Sequence, residues 1–278
     1  AVYDLWAQGV VGSPASEYLV VSRRACGVPL VQSIDDIQVI AKTDYYPNTA
    51  ANYLLERFGL ELDDDSWNNI QRDIGIGKDT QCEVRNENLS QVMPLLIKVA
   101  EAIFTQACEE REPLTRYLKS SGLADAQNSV VVDVGYGATI QNYLCQLTGK
   151  KIHGYYLATD ARSINVSKNN NVIIRGCFME NVERNSNAPI MYLRSFELEK
   201  LLSSSDGQVV KYTSIDGVTV TAVHRGLSQK ELGCDAFRNE LRNGVLKFVN
   251  DAAHIRSSLL HSFSPSLEVS KALVSEFL

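Results

Sequence analysis

Near its start the chain carries EYLVVS (17–22), a short apolar run that predicts a buried strand opening into the basic turn SRRA. From residue 33 to 121 the apolar positions recur at three-to-four spacing instead. SIDDIQVIAKT, NTAANYLLERFG, DDSWNNIQRDIG and the long LSQVMPLLIKVAEAIFTQACEE followed by EPLTRYLKSSG read as helices, with acidic starts and a glycine at several ends. In the long piece Val92, Leu96, Val99, Ala100, Ile103 and Ala107 share one helical face, the expected core side. After Gly122 the pattern changes to alternating strands and helices: SVVVDV, TIQNYLCQLTG, KIHGYYLAT and NVIIRGCF. A helix SFELEKLLSS, a hairpin QVVKYTSIDGVTVTAVH and two amphipathic helices, SQKELGCDAFRNELRNGVLKFVNDAAHI and SLEVSKALVSEFL, complete the reading.

Strands of the VVV type, without polar alternation, predict a sheet covered on both faces. The expected architecture is α/β: a mainly parallel, Rossmann-type sheet formed from residues 1–32 and 122–278, with a helical insertion at 33–121. In such sheets ligands settle outside the carboxyl ends of the strands. VVVDVGYGATIQNYLCQL (130–147) is a strand, a glycine-rich turn and a helix start of that kind. Gly135 and Gly137 are expected to allow positive φ and close backbone approach, with the amides of the following helix pointing at an anion. Asp133 would accept hydrogen bonds from ribose hydroxyls or hold a metal ion, and the Thr139 hydroxyl would donate to a phosphate oxygen. A bare turn capped by Asp133 is the competing reading.

Composition narrows the choices. Of 278 residues, 45% are hydrophobic and 22% charged, and no run approaches the roughly 20 apolar residues that span a bilayer. A formal net charge of −6 argues against broad nucleic-acid binding, so an anionic ligand needs a local cluster of cations. The six cysteines contain no CxxC pair and read as buried free thiols of a reducing cytoplasm. AVYDLWAQGVVG has neither a basic leader nor a continuous apolar core and reads as a processed or excised end.

The loop alone leaves two enzyme classes open. In S-adenosylmethionine-dependent methyltransferases a VxDxGxGxG strand end cradles the cofactor and an acid after the next strand binds its ribose; VVDVGYGAT lacks the third glycine, and Asp160 comes late for that acid. In phosphoribosyltransferases an acid and a TGxT-like loop seat the 5-phosphate of phosphoribosyl diphosphate. A wider set, YLVVSRRA (18–25), VDVGYGATIQ (132–141), GYYLAT (154–159) and NGVLKFVND (243–251), resembles the region that follows the phosphatase in a family of haloacid-dehalogenase-like bacterial polysaccharide-assembly proteins. That family typically has SRRA and DIGWxGTIQ, so Val134, Tyr136 and Ala138 are departures, Ala138 standing at the usual glycine.

The resemblance implies a phosphoribosyltransferase-like fold and a pentosyltransferase that moves ribofuranose 5-phosphate from phosphoribosyl diphosphate to a lipid-linked or oligosaccharide acceptor. It implies Mg²⁺, a partner phosphatase module whose DxDx(T/V) motif is not found here, and a cytoplasmic location at the inner face of the membrane. Asp133, Arg23 and Arg24 are the expected catalytic residues, with Asp133 also the metal ligand; Ser22, Gly135, Tyr136, Gly137, Ala138 and Thr139 are expected to line the substrate. Physically, a guanidinium pair suits a leaving diphosphate, because its planar fork makes two charge-assisted hydrogen bonds. Asp35 and Asp36 are candidates for an acceptor-side base, and an acidic helix start explains them equally well. His153, His224, His254 and His261 form no metal pattern, although HRG (224–226) at a strand end suits a phosphate; LDDDS (62–66) reads as a solvated helix start. A non-catalytic glycan-binding or scaffold module is the alternative outside enzymology.

Overall fold

The computed structural model describes residues 2–183, 188–194, 199, 202, 204, 206–214, 216, 219–259, 266 and 268–272. Its first elements are helices α1 (Val2–Ala7), α2 (Arg23–Gly27) and α3 (Ile34–Ala41). Strand β1 (Tyr45–Thr49) and helices α4 (Ala50–Phe58) and α5 (Asp64–Ile74) follow, then β2 (Gln81–Val84), α6 (Met93–Lys98) and α7 (Ala100–Ser120). The alternating part holds β3 (Ser129–Asp133), α8 (Thr139–Thr148), β4 (Ile152–Asp160), α9 (Ala161–Asn170) and β5 (Ile174–Val182). A short α10 (Ile190–Leu193), strands β6 (Val209–Ser214) and β7 (Val220–His224), and helices α11 (Gln229–Gly233) and α12 (Asp235–Ser258) come last. Most of the expected helices SFELEKLLSS and SLEVSKALVSEFL lies outside the described residues.

The α/β expectation holds in its coarse form. β3, β4 and β5 make a three-stranded parallel sheet in that order, with Val131 opposite Gly154 and Gly154 opposite Ile174. β6 and β7 pair antiparallel, as the hairpin pattern predicts. β1 and β2 form a second antiparallel pair, inside the stretch expected to be mostly helical. Their sequences, YYPNT and QCEV, are too short to show a period of two.

Among the described residues the sheet is covered on one face only. Ile152, Tyr156 and Ala158 point into the protein, and Gln141 on α8 bonds across that face. On the other face Val132 is 81% exposed and the neighbouring Tyr155 is exposed too. An apolar strand at the edge of a narrow sheet keeps one bare face, so the unbroken valine run does not mean double burial. Gly154 sits where α8 crosses most closely: a Cβ there would meet the Gln141 Oε1 at 2.2 Å.

The 17–22 segment is another correction. It is extended but joins no ladder, because tyrosine side chains take the place of a strand partner. The Val20 N–H donates to the Tyr117 hydroxyl (2.7 Å), and the Val20 carbonyl accepts from the Tyr212 hydroxyl (2.5 Å). SRRA is then not a turn but the first turn of α2, with the Ser22 side chain as N-cap accepting from the Ala25 N–H.

Two large hydrophobic cores and one smaller cluster gather the buried apolar residues among those described. One core gathers Ile37, Tyr53, Leu54, Phe58, Trp67, Leu95, Leu96 and Ile103 from the helical stretch and Tyr45, Cys82 and Val84 from the β1–β2 pair. The other gathers Ala25, Cys26, Leu114, Leu118, Leu144, Ile152, Val209 and Tyr212, joining α2, α7, α8, β4 and β6. The predicted face Val92, Leu96, Val99, Ala100, Ile103 and Ala107 is buried throughout. The break in that stretch falls at Val99, and α7 runs unbroken through Pro113 from one core into the other.

Candidate functional site

β3 ends at Asp133, and the loop 134–138 turns into α8. The Asp133 Oδ1 accepts the Gly135 N–H at 2.9 Å, closing a tight turn. Neither Gly135 nor Gly137 has positive φ; the left-handed residue is Ala138, with φ 54 and ψ 25, at the N-cap of α8. The expectation for the glycines is therefore corrected in its reason. Gly137 instead leaves room for Arg162 in its present pose, since a Cβ on it would lie 2.8 Å from the guanidinium carbon. Tyr136 and Ala138 are buried, and the Thr139 hydroxyl makes no hydrogen bond among the described residues.

Arg162 is the cation that the sequence reading missed. It stands at the second position of α9 and is held there by Asp160, which ends β4. The Asp160 carboxylate caps α9 through the Arg162 N–H (3.0 Å) and takes the Arg162 Nη2 at 2.6 Å. The Arg162 Nε (3.0 Å) and the Tyr192 hydroxyl (3.2 Å) donate to it as well. Burial would raise the Asp160 pKa, but the hydrogen bonds and charge of Arg162 outweigh it and keep the carboxyl below its ordinary range. The Asp160 N–H also donates to the Tyr136 carbonyl at 3.1 Å, tying the β4 end to the glycine loop. Half of the Arg162 side chain remains exposed, above Gly137. An arginine two residues after an aspartate at a strand end, ATDARS, is the signal that could have found it.

Tyr136 packs edge-on against Tyr192, with centroids 5.0 Å apart, in a small cluster that also contains Ala158, Val182, Ala188 and Met179. A cavity of about 620 Å³ opens beside this cluster, lined by Cys177, Phe178, Glu180, Glu183 and Lys271.

The two arginines of SRRA separate completely. Arg24 is buried, and its fork grips Glu110 on α7: Nη2 to Oε1 at 2.6 Å and Nη1 to Oε2 at 3.0 Å. It also donates to the Phe58 and Val210 carbonyls. These bonds engage both Nη groups inside the protein, so Arg24 does not face a diphosphate at the loop, contrary to the expectation. Ser22 does not line a substrate either, because its hydroxyl is buried and donates to the Val209 carbonyl at 2.7 Å. Arg23 is exposed and makes no hydrogen bond or ion pair among the described residues.

The remaining candidates resolve as local structure. Asp36 accepts from the Gln32 N–H and the Ser33 hydroxyl at the start of α3, with Asp35 beside it. Asp63 caps α5 through the Ser66 N–H. His153 accepts the Ile173 N–H, His224 bonds the Gly207 carbonyl, and Arg225 is engaged with Glu231. Cys26, Cys82 and Cys145 are buried free thiols, whereas Cys108, Cys177 and Cys234 are exposed ones. Burial pushes the Cys26 thiol up to about 12.

Among the described residues no group of three or more His, Cys, Asp or Glu side chains is placed to hold a metal ion. Asp133 would be a single protein ligand, which suits Mg²⁺ only when a substrate's phosphates supply further oxygens. No helix among the described residues is long and apolar enough to cross a membrane. No known protein family and no curated protein matches the chain significantly.

Proposed function

We propose that the chain is a glycosyltransferase of phosphoribosyltransferase type, binding phosphoribosyl diphosphate at the carboxyl edge of the parallel sheet. What carries the reading is the guanidinium of Arg162 held over Gly137, at a loop that leads into the amino end of α8. A 5-phosphate seated there meets backbone amides, the positive end of a helix dipole, the Thr139 hydroxyl and an arginine at once. Asp133 stands at the mouth of the same loop, with Oδ1 on Gly135 and Oδ2 left for a ribose hydroxyl or a donor-borne Mg²⁺. An acceptor sugar would approach through the cavity beside Tyr136 and Tyr192, where Glu180 and Glu183 offer acceptors for hydroxyl groups. Transfer requires mainly that donor and acceptor be held together and that charge on the leaving diphosphate be neutralised. With the resemblance stated above, the product would be a ribosyl 5-phosphate on a bacterial glycan, and a partner phosphatase would remove the phosphate.

A methyltransferase reading keeps one observation: Asp160 ends the strand next to the glycine loop and bonds to it. Its carboxylate, however, already holds Arg162 and caps α9, so a ribose would have to displace an ion pair. A thermal-shift panel separates the two. Phosphoribosyl diphosphate with Mg²⁺ at about 100 times its dissociation constant should add roughly 2.7 kcal/mol to stability, and S-adenosylmethionine should add nothing. A shift with S-adenosylmethionine alone overturns the proposal, and a shift with neither favours a non-catalytic module.

Asp133→Asn should fold like the parent, because the amide oxygen still accepts the Gly135 N–H. Transfer measured by diphosphate release should nevertheless fall tenfold or more, about 1.4 kcal/mol at the transition state. Parent-like turnover would reduce Asp133 to a turn cap.

A further inference from the structure

α12 belongs to neither large core, and of its residues Asp235–Ser258 only Ala253 is buried. Its main packing partner is α1. The Gly9 backbone, just past α1, comes so close that a Cβ there would meet the Ala253 carbonyl oxygen at 2.4 Å, and the Arg256 guanidinium lies over the Trp6 ring. The opposite side of α12 is apolar and open. Phe237 is 65% exposed and Phe248 73%, with Leu241, Ile255 and Leu259 exposed in line with them. A contiguous apolar stripe of this kind marks a place where something docks.

The stripe has the same spacing in both directions from Phe248. Gly244 and Ala252 stand four residues away, Leu241 and Ile255 seven, Phe237 and Leu259 eleven. At about 100° per residue all six lie within about 40° of the Phe248 direction. We propose that this face of α12 is a homodimer interface, on which a second copy of the chain docks antiparallel about a twofold axis at Phe248. That axis sets Phe237 against the copy's Leu259, Leu241 against its Ile255 and Gly244 against its Ala252, so that apolar meets apolar along the whole seam. The small pair, one turn either side of the axis, leaves room for the two Phe248 rings. A foreign partner would require no symmetry about one residue. Charge agrees with the same arrangement: Glu240, Lys247 and Asp251 line one exposed flank, and the antiparallel copy brings its Asp251 beside Lys247 and its His254 beside Glu240. A parallel copy would instead drive that flank into the Arg256 side of its partner, where α1 already lies.

The test is sedimentation equilibrium of the full chain, which should pass from monomer to dimer between about 1 and 100 μM. Phe248→Glu, which faces its own copy across the axis, should weaken dimerisation about a hundredfold or more, with the melting curve of the dilute protein unchanged. Asn250→Glu adds the same charge on the far side of the helix and should dimerise like the parent. Under mild oxidation, a mixture of Phe237→Cys and Leu259→Cys chains should form a disulfide between those two positions, whereas Phe237→Cys alone should form none with itself there. A parent that stays monomeric overturns the proposal. If Phe248→Glu then lowers the melting point, the chain itself covers the stripe; if it does not, the face belongs to a different protein. Parent-like dimerisation of Phe248→Glu, or Phe237→Cys chains linked to one another at that residue, overturns it as well.

Discussion

Replacing Arg24 by alanine is expected to remove about 3–5 kcal/mol of folding stability, read as a fall in the urea midpoint at an unchanged slope. The reason is what remains behind. Glu110 is 4% exposed, and without Arg24 the one donor it keeps among the described residues is the Gln106 amide, at 2.6 Å. A carboxylate left in such surroundings without its counter-ion is far more costly than the lost contact itself, and the carbonyls of Phe58 and Val210 lose their donor as well. Arg23→Ala, one residue earlier, should stay within about 0.5 kcal/mol of the parent. A loss below about 1 kcal/mol in Arg24→Ala would mean that water reaches Glu110.

Gly137→Val should leave a folded protein in which phosphoribosyl diphosphate no longer produces a thermal shift. The clash is with the end of a flexible side chain, 2.8 Å from the new Cβ, so the backbone need not move. Arg162 must swing aside instead, and the valine methyl groups then stand where the phosphate would sit. The expected loss of affinity is a hundredfold or more, about 2.7 kcal/mol, made of one charge-assisted bond and blocked access. Retained binding in this variant would remove the loop from the site. An unfolded variant would be replaced by Arg162→Gln, which tests the same cation without the steric change.

The difference between Arg23 and Arg24 shows what the sequence could and could not disclose. The two residues are identical in chemistry and adjacent in SRRA, and only the helical phase of α2 turns one outward and the other inward. The partner that fixes Arg24 lies 86 residues away, in a helix whose own pattern gives Glu110 no distinction. β3, α8, β4 and β5 were legible because their periods are local, and so was the turn at Asp133. The bare face of the sheet was not, since VVV reads alike whether one side is covered or two. The glycine loop was legible as a loop, yet its strained residue is an alanine, and Gly137 makes room for Arg162, a neighbour contributed by another strand end.

α7 has a consequence for how the molecule comes apart. Ala100, Ile103 and Ala107 belong to one core, Leu114 and Leu118 to the other, and Glu110 lies between them clasping Arg24. A rod shared in this way makes cooperativity structural: neither core can melt while the other keeps its half of the helix fully packed. Hydrogen exchange along residues 100–120 should then be protected as one block, and the helical part and the sheet part should open as a single unit.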